Sequence, residues 1–220
     1  FHKKVRKQRK KLEDGGAAQQ QDREVAEQAA RIAAQSGDEY SKLVAKGIQY
    51  QSKEDWRKAA KAYREAIALR PDKPVAYYNL GAALSNSGHD VEAAQRFLEA
   101  SERYQVGSED WEGATAMAFK ELLQEACAEV AKPEWWNDEE LKALSARVVR
   151  AAPDDVQANQ MRAMVLSGQT GAWEAGHRSA AELMEAAAYC ERAAALQPAP
   201  AMKVQYADNA AWCRSQADAM

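Results

Sequence analysis

Between Tyr40 and Asp72 the chain sets small and large residues in an order that suits a pair of tightly packed antiparallel helices. Gly47, Ala59 and Ala66 stand at positions 8, 20 and 27 of a repeating frame, and Tyr50, Trp56 and Tyr63 at positions 11, 17 and 24. The small residues let two helices approach closely, and the aromatics fill the space between them. Pro71, at position 32, ends the second helix, because it has no N–H and its ring clashes with the preceding turn. One such pair cannot bury its apolar face alone, so neighbours of the same kind are required.

A second copy follows from Pro74. Tyr77, Leu80, Gly81, Leu84, Gly88, Ala93, Phe97 and Ala100 occupy positions 4, 7, 8, 11, 15, 20, 24 and 27, whereas Asp90 and Gln105 depart from the frame at 17 and 32. This pattern resembles the tetratricopeptide repeat, whose period is about 34 residues. The resemblance is specific in two repeats and degenerate in two more. Trp111 opens a third first helix at position 4, with Thr115 where glycine is expected, so close packing there is in question. That helix is expected to run to about Ala131, and its partner over Asp138–Ala152, ended by Pro153. Ala186, Cys190, Ala193, Leu196 and Pro198 match the end of a fourth repeat, whose first helix is read as Val156–Leu166. Between its two helices lies an insertion, Ser167–Arg178, with Gly168, Gly171 and Gly176.

The expected fold is therefore all-α, an α-solenoid of about four helix-turn-helix repeats at 40–73, 74–107, 108–153 and 155–198, closed by a cap at 202–220. A repeat array needs such a cap, because its last stacking face is otherwise exposed. Trp212 is expected to anchor it, and Trp56 and Trp111 to sit in the core. Asn137 and Ser179, each followed three residues later by glutamate, are read as helix-starting capping boxes. Residues 1–36 form a separate extension, with a helix from Gln19 to about Gln35 that either caps the first repeat or pairs with a partner helix. The blocks Met161–Gly168, Arg178–Met184 and Cys190–Leu196 are also similar to blocks in uncharacterised repeat proteins of algae and other protists, a resemblance that carries no activity.

Charge is concentrated at one end. Lys3, Lys4, Arg6, Lys7, Arg9, Lys10 and Lys11 stand in a run without an acid, leaving 23 basic residues against 33 acidic ones in the rest of the chain. Such an arm grips phosphates by counterion release, docks on an acidic protein surface, serves as a nuclear address, or is simply solvated. It has no apolar segment, so it is not a secretory signal. Phe1 is not an initiator methionine, so the start of the protein is expected to lie upstream. No apolar stretch approaches the roughly 18 residues of a membrane span. Cys127, Cys190 and Cys213 are odd in number and widely spaced, which argues against a disulfide framework and for a reducing compartment. The expected location is intracellular, cytoplasmic first, with nucleus or organelle as alternatives.

Chemistry-bearing motifs are missing. There is no phosphate-binding glycine loop, and His2, His89 and His177 are scattered away from Cys or His at metal-ligand spacing. The reading is of a non-enzyme without cofactor or metal. Stacked first helices should instead form a concave groove offering Ile48, Gln51, Tyr78, Asn79, Asn86, Asn159 and Gln160 to a protein partner, with Trp173 of the insertion as a further anchor. Trp135, Trp136 and Trp173 equally suit lids over the core. Some members of the resembled family hold a chaperone's C-terminal carboxylate in a lysine-rich clamp. Asn79 matches one clamp asparagine, but Ser41 and Ala45 replace the first-repeat lysine and asparagine, so that activity is not implied. What is implied is a protein-binding scaffold in a multi-subunit complex. An RNA- or ribonucleoprotein-associated protein anchored by the basic arm is the first alternative, and a co-chaperone or enzyme regulator the second.

Overall fold

The computed structural model describes residues 38–169 and 172–220; the basic arm, the predicted 19–35 helix and Gly171 of the insertion lie outside the described residues. Among the described residues there are nine α-helices and no strand. They are α1 (Glu39–Gln51), α2 (Trp56–Leu69), α3 (Pro74–Ser85), α4 (Asp90–Arg103), α5 (Glu109–Leu122), α6 (Asp138–Ala151), α7 (Val156–Ser167), α8 (Ala180–Leu196) and α9 (Pro200–Asp218). The chain divides into two compact units, one ending at Gly88 and one spanning His89–Met220. The division falls at the turn between the two helices of the second predicted repeat.

In the first unit α1, α2 and α3 pack in sequence. Their helix starts are chemically marked: Asp38 and Asp55 accept from the N–H groups of Ser41 and Lys58, and Pro74 occupies the first turn of α3, where its missing donor costs nothing. Gly47 on α1 is the contact point. A Cβ built on it lies 2.3 Å from the Tyr63 ring, so no side chain fits while that ring stays in place. Tyr63 is fully buried, and its hydroxyl donates to Gln51 Oε1 at 2.9 Å. Ala59, Ala60, Ala62 and Ala66 keep the facing surface of α2 low. Tyr77 on α3 donates to the Pro71 carbonyl at 3.2 Å, fixing the entry to the next helix. Trp56 is only half-buried.

Two large apolar clusters organise the second unit. Trp111, Phe119, Leu141, Leu144, Val148, Met161, Val165 and Trp173 join α5, α6, α7 and the insertion. Ala163, Leu166, Ala186, Ala187, Cys190, Ala210 and Cys213 join α7, α8 and α9. Thr115 is buried, and its hydroxyl is satisfied by donating to the Trp111 carbonyl at 2.7 Å, one turn back. Arg162 binds three helices together: it donates to the Lys142 carbonyl at 2.8 Å and pairs with Glu185 at 3.0 Å.

Two expectations are corrected here. Helix α5 stops at Leu122 and not near Ala131. After a 3-10 turn at Glu125–Cys127 the chain folds back, Cys127 is buried against Ala94 and Leu122, and Lys132 donates to the Leu122 and Cys127 carbonyls at 3.3 and 2.6 Å. These contacts outweigh a local sequence of good helix formers. Trp212 does not anchor the cap: it is exposed, and α9 is held through Tyr206, Ala210, Cys213 and Ala217, spaced at helical intervals on its inner face. The predicted capping box at Ser179 and Glu182 is present in both halves, and Asn137 accepts from the Glu140 N–H at 3.0 Å.

Replacing Gly47 with valine should destabilise the protein by about 1–3 kcal/mol through overpacking against Tyr63. The check is a urea titration in which the midpoint falls and the slope is unchanged.

Candidate functional site

The repeat frame assigns α5 and α7 as first helices of the third and fourth repeats, and α9 follows in the same row. Their exposed edges line a continuous surface of the second unit. Ala116, Phe119, Lys120 and Leu123 face Gln157, Gln160, Met161 and Met164 across a shallow cleft. Beyond it opens a cavity of about 270 Å³, lined by Gln160, Ala163, Met164, Ser167, Gln169, Cys190, Gln205, Tyr206 and Asn209. Gln160 belongs to both. Its Oε1 accepts from the Tyr206 hydroxyl at 2.9 Å, and its Nε2 lies 3.9 Å from the Met164 sulfur. Burial raises the Tyr206 pKa, so the phenol stays neutral and acts as a donor.

The chemistry of this surface is amide, thioether and hydroxyl. Among the described residues no Asp, Glu, Lys or Arg lines the cavity, and Lys120 is the one charged lining residue of the cleft. Asparagine and glutamine offer both donors and acceptors, which suits peptide main chain or uncharged polar side chains. Among the described residues no three His, Cys, Asp or Glu side chains come together in an arrangement that could hold a metal ion. No helix of the described residues is long and apolar enough to cross a membrane.

The residues singled out from sequence fall into different settings. Ile48, Tyr78 and Asn79 are half-buried in the first unit. Gln51 is occupied by Tyr63, and the exposed Asn86 donates to the Ala82 carbonyl at 2.8 Å as the C-cap of α3. Asn159 is not available to a partner. It is fully buried, and its Nδ2 donates to the Pro153 and Asp155 carbonyls at 2.8 and 2.7 Å, which fixes the start of α7.

Trp173 is not an exposed anchor either. It is buried, its ring centroid lies 6.0 Å from Phe119 and 5.9 Å from Trp136, and its Nε1 donates to Asp138 Oδ1 at 3.2 Å. Trp136 donates to the Ala172 carbonyl at 3.0 Å. Trp173 is thus a lid over the core. Gly168 at φ 62° turns the chain out of α7, and Arg178 brings it back, reaching Asp138 Oδ2 at 2.8 Å and the Val165 carbonyl at 3.0 Å. The Arg178 hydrogen bonds, with that of Trp173, hold the Asp138 carboxyl well below the usual range. Arg178→Ala should cost about 2–4 kcal/mol, since it strands a partly buried carboxylate. Limited proteolysis should then cut first within residues 168–178.

Glu112 was not anticipated. It is buried on α5, its Oε1 has no hydrogen-bond partner, and burial, reinforced by Asp155 and Glu109, pushes its pKa up to about 8. With Trp111 at position 4, Glu112 occupies position 5, where Asn159 stands in the fourth repeat, so the frame itself held the signal. Because the folded state keeps this proton to about pH 8 while an unfolded glutamate loses it near 4.5, stability should fall as pH rises between those values. Glu112→Gln should flatten that decline and exceed the wild type at pH 9, measured as urea midpoints at pH 5, 7 and 9.

Residues 47–88 match the family model described as TPR repeat. A solved structure from a functional characterisation of PilF of Pseudomonas aeruginosa is similar to the chain, with a TM-score of 0.58 at 17% identity, covering 92% of this chain and 84% of that one. At that identity the likeness is one of fold. Among curated proteins no sequence matches significantly.

Proposed function

We propose that this chain, a tetratricopeptide-repeat protein, is a non-catalytic scaffold that holds a partner protein on the row of first helices, as a subunit of a larger assembly. Repeats of this kind are protein-interaction modules, and the fold places side chains on a pre-formed surface without needing any chemistry. The observation that carries the reading is the uncharged, amide-lined cavity on α7, α8 and α9, continuous through Gln160 with the α5–α7 cleft. A peptide lying along it finds donors and acceptors from Gln157, Gln160, Gln205 and Asn209, with Met164 as an adaptable apolar floor. The arm at Lys3–Lys11 adds an electrostatic contact that speeds association.

The charge imbalance favours one second reading, an RNA- or ribonucleoprotein-associated protein in which the seven basic residues of the arm supply the phosphate anchor. A photo-cross-linking amino acid at Lys120 or Gln205 separates the two. On the scaffold reading, both positions cross-link one protein in the native assembly, Met184 on α8 does not, and Gln160→Arg removes the product. Deleting residues 1–11 leaves it. Cross-linking equally strong from Met184, or binding that disappears with the arm and tracks salt, would reject it.

A further inference from the structure

We propose, resting on the scaffold reading, that the cavity on α7, α8 and α9 seats a tryptophan side chain of the partner protein, with the partner's main chain held at the amide rim. The floor of the cavity is closed. Ala163 and Tyr206 are each 3% exposed and Cys190 5%, and half-buried Met164 completes the lining. The rim is open and polar. Gln169 and Gln205 are exposed, and Gln160 and Asn209 are half-buried. A depression with a buried floor and an amide edge takes in one bulky side chain and leaves its peptide groups at the mouth.

Size and charge narrow the choice of side chain. The cavity measures about 270 Å³, whereas roughly 150 Å³ is enough to hold benzene. A valine or leucine leaves much of that space empty, and empty space forfeits dispersion contacts. Arginine and lysine fit poorly, because no charged side chain of the described residues lines the cavity and their charge would lose water without gaining a counter-ion. The Met164 thioether favours an aromatic ring. Gln160 then separates tryptophan from phenylalanine. Its Oε1 accepts from the Tyr206 hydroxyl at 2.9 Å, and a carbonyl oxygen has a second lone pair. The indole N–H, a donor only, suits that remaining position. Gln205 and Asn209 stand one turn apart on α9 and line the same opening. Each offers a donor and an acceptor to the main chain on either side of the anchor.

The test titrates the full chain with N-acetyltryptophanamide and, separately, with its phenylalanine analogue, followed by proton–nitrogen correlation spectra. Shifts should concentrate on the side-chain amides of Gln160, Gln205 and Asn209. The tryptophan amide should bind about fivefold more tightly, the worth of one hydrogen bond. Gln160→Met, checked for folding in the same spectra, should bring the two affinities together and leave that of the phenylalanine amide unchanged. Equal affinities in the wild type, shifts that avoid the cavity, or a preference that survives Gln160→Met overturn the proposal and leave the scaffold reading standing. A photo-cross-linker at Gln205 then reads the native partner and should join a peptide that contains tryptophan. A peptide without one overturns the anchor alone, whereas the absence of any cross-linked partner removes the scaffold reading and the anchor with it.

Discussion

The close approach of paired helices, enforced where one side has no side chain at all, is the constraint on which the fold depends. At Gly47 the facing Tyr63 ring occupies the volume a Cβ would need. The ring has no slack, because it is fully buried and its hydroxyl is held by Gln51. Dense interiors respond to such contacts as discrete fits, not as elastic ones. The same economy recurs further along as alanines. Ala93, Ala94 and Ala100 on α4, and Ala186, Ala187 and Ala193 on α8, are all buried. Small residues at the seams, with aromatics and leucines between them, leave the outer edges of the first helices to carry other side chains.

How much of this could be read from the chain depends on whether the information was local. Helix pairs, their caps and their small-residue seams are periodic, so Asn137, Ser179 and Gly47 announced themselves. Helix α5 did not, because Glu121–Val130 is composed of residues that favour helix, and its fold-back is imposed from a distance by Lys132 and by burial of Cys127. A helix, Pro200–Asp218, covers the segment read as the cap, but other side chains than the expected one hold it. Tyr206, Ala210, Cys213 and Ala217 form the inner face, and Trp212 lies one residue off it. A large aromatic is a poor guide when neighbouring alanines and a cysteine already set the stripe.

The candidate site shows the same division. Position in the repeat frame located Gln160 on the open surface, but it also nominated Asn159, which the backbone carbonyls of Pro153 and Asp155 consume. Trp173 has the composition of a recognition anchor in a glycine-bearing insertion. Its indole N–H is committed to Asp138, and its ring closes the core beside Phe119. The candidate surface carries quieter chemistry: glutamines, an asparagine, a tyrosine and a methionine around a cavity that no charged side chain of the described residues lines. Such a surface gains specificity from geometry and from satisfied hydrogen bonds.

The most direct test of this division of labour is hydrogen–deuterium exchange on the protein before and after release from its native assembly. The scaffold account predicts slowed exchange in the complex over 109–122, 156–167 and 200–218, with 180–196 unchanged. Protection confined to 180–196, or absent from the whole row of first helices, would contradict it.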